Sequence, residues 1–175
     1  VSIIAIDPGY AKRGRGCACA RFDGDDFLAA WWYARPDAMP PDGAWPEADT
    51  VVWECPQVDG RTRTATPQAV QLAAVGGTLA GLYAGHAGAT VDPVTPSAWK
   101  GSTPKPIQHM RMWEVLTPPE RALLGGSATE AAIDAARRKG ALDRWSKSGA
   151  AYYPHNFLMH NILDAVGIGV WWLGR

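Results

Sequence analysis

Three carboxylates lie at positions where a charge is costly to hold. Asp7 follows the β-branched run Val1–Ile6 and precedes Pro8-Gly9. Glu54 stands near the end of Thr50–Cys55, and Asp164 lies inside Phe157–Leu173, the longest apolar stretch of the chain. Burying an ionised carboxylate costs several kcal/mol unless something positive compensates it. Any one of the three alone reads as a cap or a salt-bridge partner; three together call for a shared counter-charge. No Lys or Arg lies in the segment around Asp164 before Arg175, so a metal cation is a better partner than a salt bridge. Hard oxygen donors of this kind suit Mg²⁺ or Mn²⁺ rather than zinc.

The elements that must position these acids follow from periodicity and punctuation. Val1–Ile6 reads as a strand covered on both faces, ending at the turn Asp7-Pro8-Gly9. Gly16–Ala20 and Phe27–Tyr33 read as an antiparallel hairpin around Asp23-Gly24-Asp25, and Pro36–Pro46 as a surface loop. A fourth strand over Thr50–Cys55 ends at Pro56, and Thr90–Val94 is a fifth, short one. Thr66-Pro67 starts a helix that runs to about Tyr83 and closes at Gly85 and Gly88. Further helices are expected from about Pro106 to Val115, after the capping boxes Thr117–Glu120 and Ser127–Glu130 (the second ending at Gly140), and from about Asn156 towards Trp172. Thr95-Pro96-Ser97 reads as a turn. The whole is an α/β chain with a five-stranded mixed sheet flanked by helices. Its 175 residues fit a single domain, 1–175.

With the blocks placed, a family resemblance emerges. Ile4-Ala-Ile-Asp7-Pro8-Gly9, Trp53-Glu54 and His160-Asn-Ile-Leu-Asp164-Ala165 resemble the RuvC-type Holliday-junction resolvases of the ribonuclease-H-like superfamily. Thr95-Pro96-Ser-Ala-Trp-Lys100-Gly101, with Lys105 and Gln108, is similar to that family's lysine region. The four blocks occur in the family's order and span almost the whole chain; the short length and diverged middle look more like phage-encoded members. The resemblance implies a ribonuclease-H-like fold and a homodimer that makes paired nicks in four-way DNA junctions with two Mg²⁺ ions per site, Mn²⁺ substituting. Asp7 would bridge the ions, and Glu54 and Asp164 would each hold one. It further implies a cytoplasmic enzyme, of a bacterium or a phage-infected cell, with no small-molecule cofactor. In the family an Asp or His three residues before the last Asp completes the site. That position is Asn161 here, with His160 one residue earlier. Positions i−3 and i−4 both flank Asp164 on a helix. Imidazole is the better metal ligand or proton acceptor, so His160 is the expected fourth member and Asn161 its support, with activity falling through the histidine pH range.

Lys100 and Lys105 match family lysines near the scissile phosphate; without the resemblance they read as solvated surface lysines. Arg61 and Arg63, following Glu54, and Arg111 are candidate phosphate contacts. The charge balance of 17 basic against 17 acidic residues confines any DNA-binding face to a local excess, such as Lys100–Lys147. An aromatic that some resolvases carry three residues past the strand glutamate is replaced by Gln57, which leaves that stacking role in doubt. Cys17 and Cys19 lack a matching Cys or His doublet and read as small buried side chains, and three cysteines favour a reduced compartment. Trp31, Trp32, Trp171 and Trp172 read as core or interface. Ala69, Ala73, Gly77, Gly81 and Gly85 form a small-residue stripe that suits either close packing on the sheet or a two-fold contact. The opening apolar run is too short for a secretory signal, and nothing is expected to span a membrane. Two rivals remain open: a ribonuclease-H-like nuclease acting on an RNA–DNA hybrid or a precursor RNA, and a catalytically idle junction-binding protein.

Overall fold

The computed structural model describes residues 1–8, 17–33, 46–56, 66–138 and 157–175. Five strands, β1 (Ser2–Asp7), β2 (Cys17–Asp23), β3 (Asp26–Tyr33), β4 (Thr50–Glu54) and β5 (Thr90–Val94), form one sheet in the order β3-β2-β1-β4-β5. β2 runs antiparallel to β1 and β3, whereas β4 is parallel to both β1 and β5. This is the mixed five-stranded α/β arrangement expected. Gly24 turns the β2–β3 hairpin at φ +56°, a conformation that L side chains rarely adopt.

Alternation sorts the strands into two buried faces. Ile3, Ala5, Ala18, Ala20, Phe22, Val52 and Val94 face one side, covered by α3 (Lys105–Val115), α5 (Ser127–Arg138) and α6 (Phe157–Trp172). Ile4, Ile6, Cys17, Cys19, Val51 and Trp53 face the other, covered by α1 (Thr66–Ala87) through Val75, Leu79, Ala80 and Tyr83. The parity decides the site. Asp7 shares the phase of Ile3 and Ala5, and Glu54 that of Val52, so both carboxylates project to the α6 side.

Close helix–sheet contact uses glycine at two positions. A Cβ on Gly169 would lie 2.1 Å from the Phe22 ring, and one on Gly76 would lie 2.6 Å from the Trp53 ring. The first brings α6 down onto β2, and the second brings α1 onto the end of β4.

Several local expectations shift. The segment expected as a turn contains one helical turn, α2 (Pro96–Trp99), with Thr95 Oγ1 accepting from the Ala98 amide at 3.3 Å. The Thr117 capping box is present at the start of α4 (Pro118–Leu123). Ser127 lies within α5, and the Gly126 carbonyl receives the Glu130 amide, so the helix begins one residue earlier than its apparent cap. α1 continues through Gly85 and ends before Gly88, whose φ is +68°. Gly140 and most of the Pro36–Pro46 loop lie outside the described residues.

The small-residue stripe of α1 is divided between environments. Ala69 is buried and Ala73 packs beside the core, whereas Gly81 and Gly85 are exposed with open space beyond them. Cys17 and Cys19 are fully buried, as expected. Of the four tryptophans expected at core or interface, Trp31, Trp32 and Trp172 pack against the core, and Trp171 is 38% exposed. Among the described residues no helix is long and apolar enough to cross a membrane.

Candidate active site

Parallel strands deliver their C-terminal ends to one edge of the sheet, and Asp7 and Glu54 are the last residues of β1 and β4. The two strands pair up to Ile6 and Trp53, so the carboxylates follow in adjacent positions. α6 crosses the same face and supplies Asp164, which is 1% exposed. Four polar side chains from α2, α3 and the loop between them close around these acids.

Glu54 Oε2 accepts two hydrogen bonds, from Trp99 Nε1 at 2.6 Å and from Lys100 Nζ at 2.8 Å. The Lys100 ammonium also lies 4.7 Å from the centre of the Trp99 ring, within cation–π range. Burial opposes the charge on Lys100, but the carboxylates of Asp164 and Glu54 outweigh it and hold the ammonium above its ordinary range.

Asp164 is held on both oxygens. Lys105 Nζ donates to Oδ2, and His109 Nε2 lies 2.8 Å from Oδ1. An ionised carboxylate only accepts, so His109 carries its proton on Nε2. Burial works against the Asp164 charge, yet Lys105, His160 and His109 keep its carboxyl well below the usual range. His109 is 1% exposed and stands one helical turn after Lys105, on the same face of α3.

Asp7 is the exception. It is 7% exposed, and among the described residues no donor reaches its carboxylate. Burial raises its pKa well above the ordinary value, and the neighbouring Asp164 and Glu54 charges raise it further against the pull of Lys105 and Lys100. Among the described residues three carboxylates thus face two ammonium groups, both of which pair with the outer acids rather than with Asp7.

His160 and Asn161 both lie beside this cluster, in different roles. His160 Nε2 is 2.9 Å from Lys105 Nζ, so it accepts from the ammonium, while Nδ1 stands 3.5 Å from Asp164 Oδ2. Burial pushes its pKa down to about 3; Asp164 pulls the other way but does not prevail. A pKa this low keeps the ring neutral through the ordinary histidine range in the metal-free protein. Asn161 is buried, and among the described residues its amide nitrogen has no hydrogen-bond partner. Arg111 is exposed on α3, away from the buried cluster. Arg61, Arg63 and Gln57 lie outside the described residues.

Two members of the cluster were not legible as site residues beforehand. His109 had one available signal, its i+4 spacing from Lys105; Trp99 had only its place beside Lys100.

The donor chemistry fits a hard divalent cation: three carboxylates converge, and among the described residues no cation pairs directly with the central one. Their present contacts point elsewhere, since Lys100 and Lys105 each take an oxygen of an outer acid. Among the described residues no three carboxylate, imidazole or thiol groups stand close enough together to hold one ion. Compared with models of known protein families the chain matches none, and a comparison with curated proteins finds no match either.

Proposed function

We propose that the chain is a metal-dependent endonuclease that cuts branched DNA, in the manner of the junction resolvases its motifs resemble. One observation carries the reading: a buried aspartate without a described partner, flanked by two further carboxylates and two lysines at the strand ends. A structural cluster gains nothing from an uncompensated central charge. A phosphodiester-cleaving centre needs such a charge, because divalent ions bound there activate water and steady the leaving oxygen.

In this reading Asp7, Glu54 and Asp164 are the ligands of Mg²⁺ or Mn²⁺. Lys100 and Lys105 are, among the described residues, the cations nearest the acids, and their ammonium groups would neutralise charge building on the scissile phosphate. His109 fixes the Asp164 carboxylate from behind. His160, neutral and accepting from Lys105, holds that ammonium in place, with buried Asn161 beside it. Arg111, Arg61 and Arg63 are proposed to contact phosphates further from the cut.

Two opposed strands of a four-way junction are addressed most simply by a two-fold pair of sites. We assign that role to a homodimer, with the outward glycines of α1 near the axis. The test is a gel comparing a labelled four-way junction with a linear duplex and an RNA–DNA hybrid, each with Mg²⁺ or with chelator. Paired nicks in the junction alone, and only with metal, support the proposal. Cutting of the hybrid alone selects a different nuclease of the same fold, and metal-independent binding without cutting selects an idle junction-binding protein.

A further inference from the structure

Trp99 touches both outer carboxylate-bearing elements. Its indole Nε1 donates to Glu54 at the end of β4, at 2.6 Å. Its six-membered ring lies against α6 at Gly167, where an added Cβ would meet Trp99 Cζ3 at 3.0 Å. Gly167 stands three residues after Asp164, one helical turn along the same helix. The tryptophan is 4% exposed and ends the single turn α2, whose start is fixed by the Thr95 cap. It therefore has little freedom to move.

Both donors to Glu54, the Trp99 indole and the Lys100 ammonium, fall on Oε2. Among the described residues none falls on Oε1. A carboxylate held by an N–H on one oxygen and open on the other is a ligand of fixed direction. Partners of this kind orient metal ligands, and their loss commonly weakens metal binding 10- to 100-fold.

We infer that Trp99 is a positioning residue that sets Glu54 at a fixed distance and angle from the helix bearing Asp164. The inference rests on the metal-dependent reading above. It goes beyond it by assigning the spacing of the outer two ligands to one side chain that touches neither DNA nor ion.

Mn²⁺ titrated calorimetrically into the full chain, without DNA, tests it in the wild type, in Trp99→Phe and in Gly167→Ala. Phenylalanine keeps a ring against α6 but removes the N–H. Alanine at 167 keeps the N–H but pushes the ring by a few tenths of an ångström. Trp99→Phe is expected to weaken Mn²⁺ binding about tenfold or more, and Gly167→Ala severalfold, with junction affinity in chelator unchanged for both. A purely structural tryptophan would lower the thermal midpoint and leave the Mn²⁺ affinity of the folded protein intact. Should Trp99→Phe fail to fold, Gly167→Ala carries the test. Affinity within twofold of wild type in the folded variants overturns the inference alone. A wild-type chain that binds no Mn²⁺ overturns the metal-dependent reading and this inference with it.

Discussion

Replacing Asp7 by asparagine should stabilise the metal-free protein while abolishing its proposed chemistry. The carboxylate is buried beside Asp164 and Glu54, and its pKa lies well above 3.8. Linkage gives the sign: below pH 3.8 the folded and unfolded states are both protonated, and the group costs nothing. As pH rises towards the folded pKa, the unfolded chain ionises first and the folded state loses ground. At 1.36 kcal/mol per unit, the cost at pH 7 has a ceiling of about 4 kcal/mol, set by the option of staying protonated. An unpaired amide returns part of that, about 1–3 kcal/mol. A net gain of at most about 3 kcal/mol remains, and at about 2–4 °C per kcal/mol for a chain of this size the midpoint rises by up to roughly 12 °C. Thermal melts followed by circular dichroism in chelator, from pH 4 to 8, measure it. The gain should shrink as pH falls and reverse near pH 4, where only the cost of the unpaired amide remains. Saturating Mg²⁺ should then stabilise the wild type alone, by about 2.7 kcal/mol at a hundredfold excess over Kd. A variant that melts below the wild type at pH 7, with a gap flat in pH, would refute the strained-carboxylate argument.

Other expectations follow from individual contacts. Glu120 accepts from the Phe27 and Thr117 amides and from both terminal nitrogens of Arg175, and these bonds overcome its burial to bring its pKa down to about 2. A depressed carboxylate stabilises above its unfolded pKa of about 4.5 and loses that as pH falls towards 2, about 3 kcal/mol in all; acid melts of Arg175→Ala should show part of this pH dependence gone, with the Thr117 and Phe27 bonds retaining the rest. His160 should remain neutral by NMR from pH 8 to about pH 4, and a midpoint near 6.5 would contradict its contact with Lys105. Gly169→Ala drives a methyl into the Phe22 ring and should cost about 1–3 kcal/mol or more in denaturant melts. Lys100→Ala and Lys105→Ala should both slow single-turnover cutting, at least one of them with all DNA bound; full recovery at saturating enzyme would reduce both lysines to DNA positioning.

The strand ends were legible because turn residues mark them. Asp7 before Pro8-Gly9 and Glu54 before Pro56 announce the edge where parallel strands stop, and alternation then places both acids on one face. Asp164 was legible as a charge within an apolar helix. Pairings between distant elements were not. The Glu120–Arg175 clamp joins α4 to the end of the chain across 55 residues, and no local pattern encodes it. His109 resembles any half-polar position on α3 until Asp164 is set opposite it. The single turn of α2 is too short for periodicity to register, so Thr95-Pro96-Ser97 read as a turn and Trp99 only as a neighbour of Lys100. His160 was weighed as imidazole chemistry in water, whereas burial and the Lys105 ammonium change its chemistry altogether.

The most direct test of the account is single-turnover cutting of a four-way junction by Asp7→Asn, Glu54→Gln and Asp164→Asn at saturating Mg²⁺, with junction affinity measured in parallel. If the three acids form one metal-dependent centre, each variant loses cutting while its junction affinity stays near that of the wild type, because affinity comes mostly from phosphate contacts elsewhere. Wild-type turnover in any one of the three would remove that residue from the centre, and wild-type turnover in Asp7→Asn would contradict the account itself.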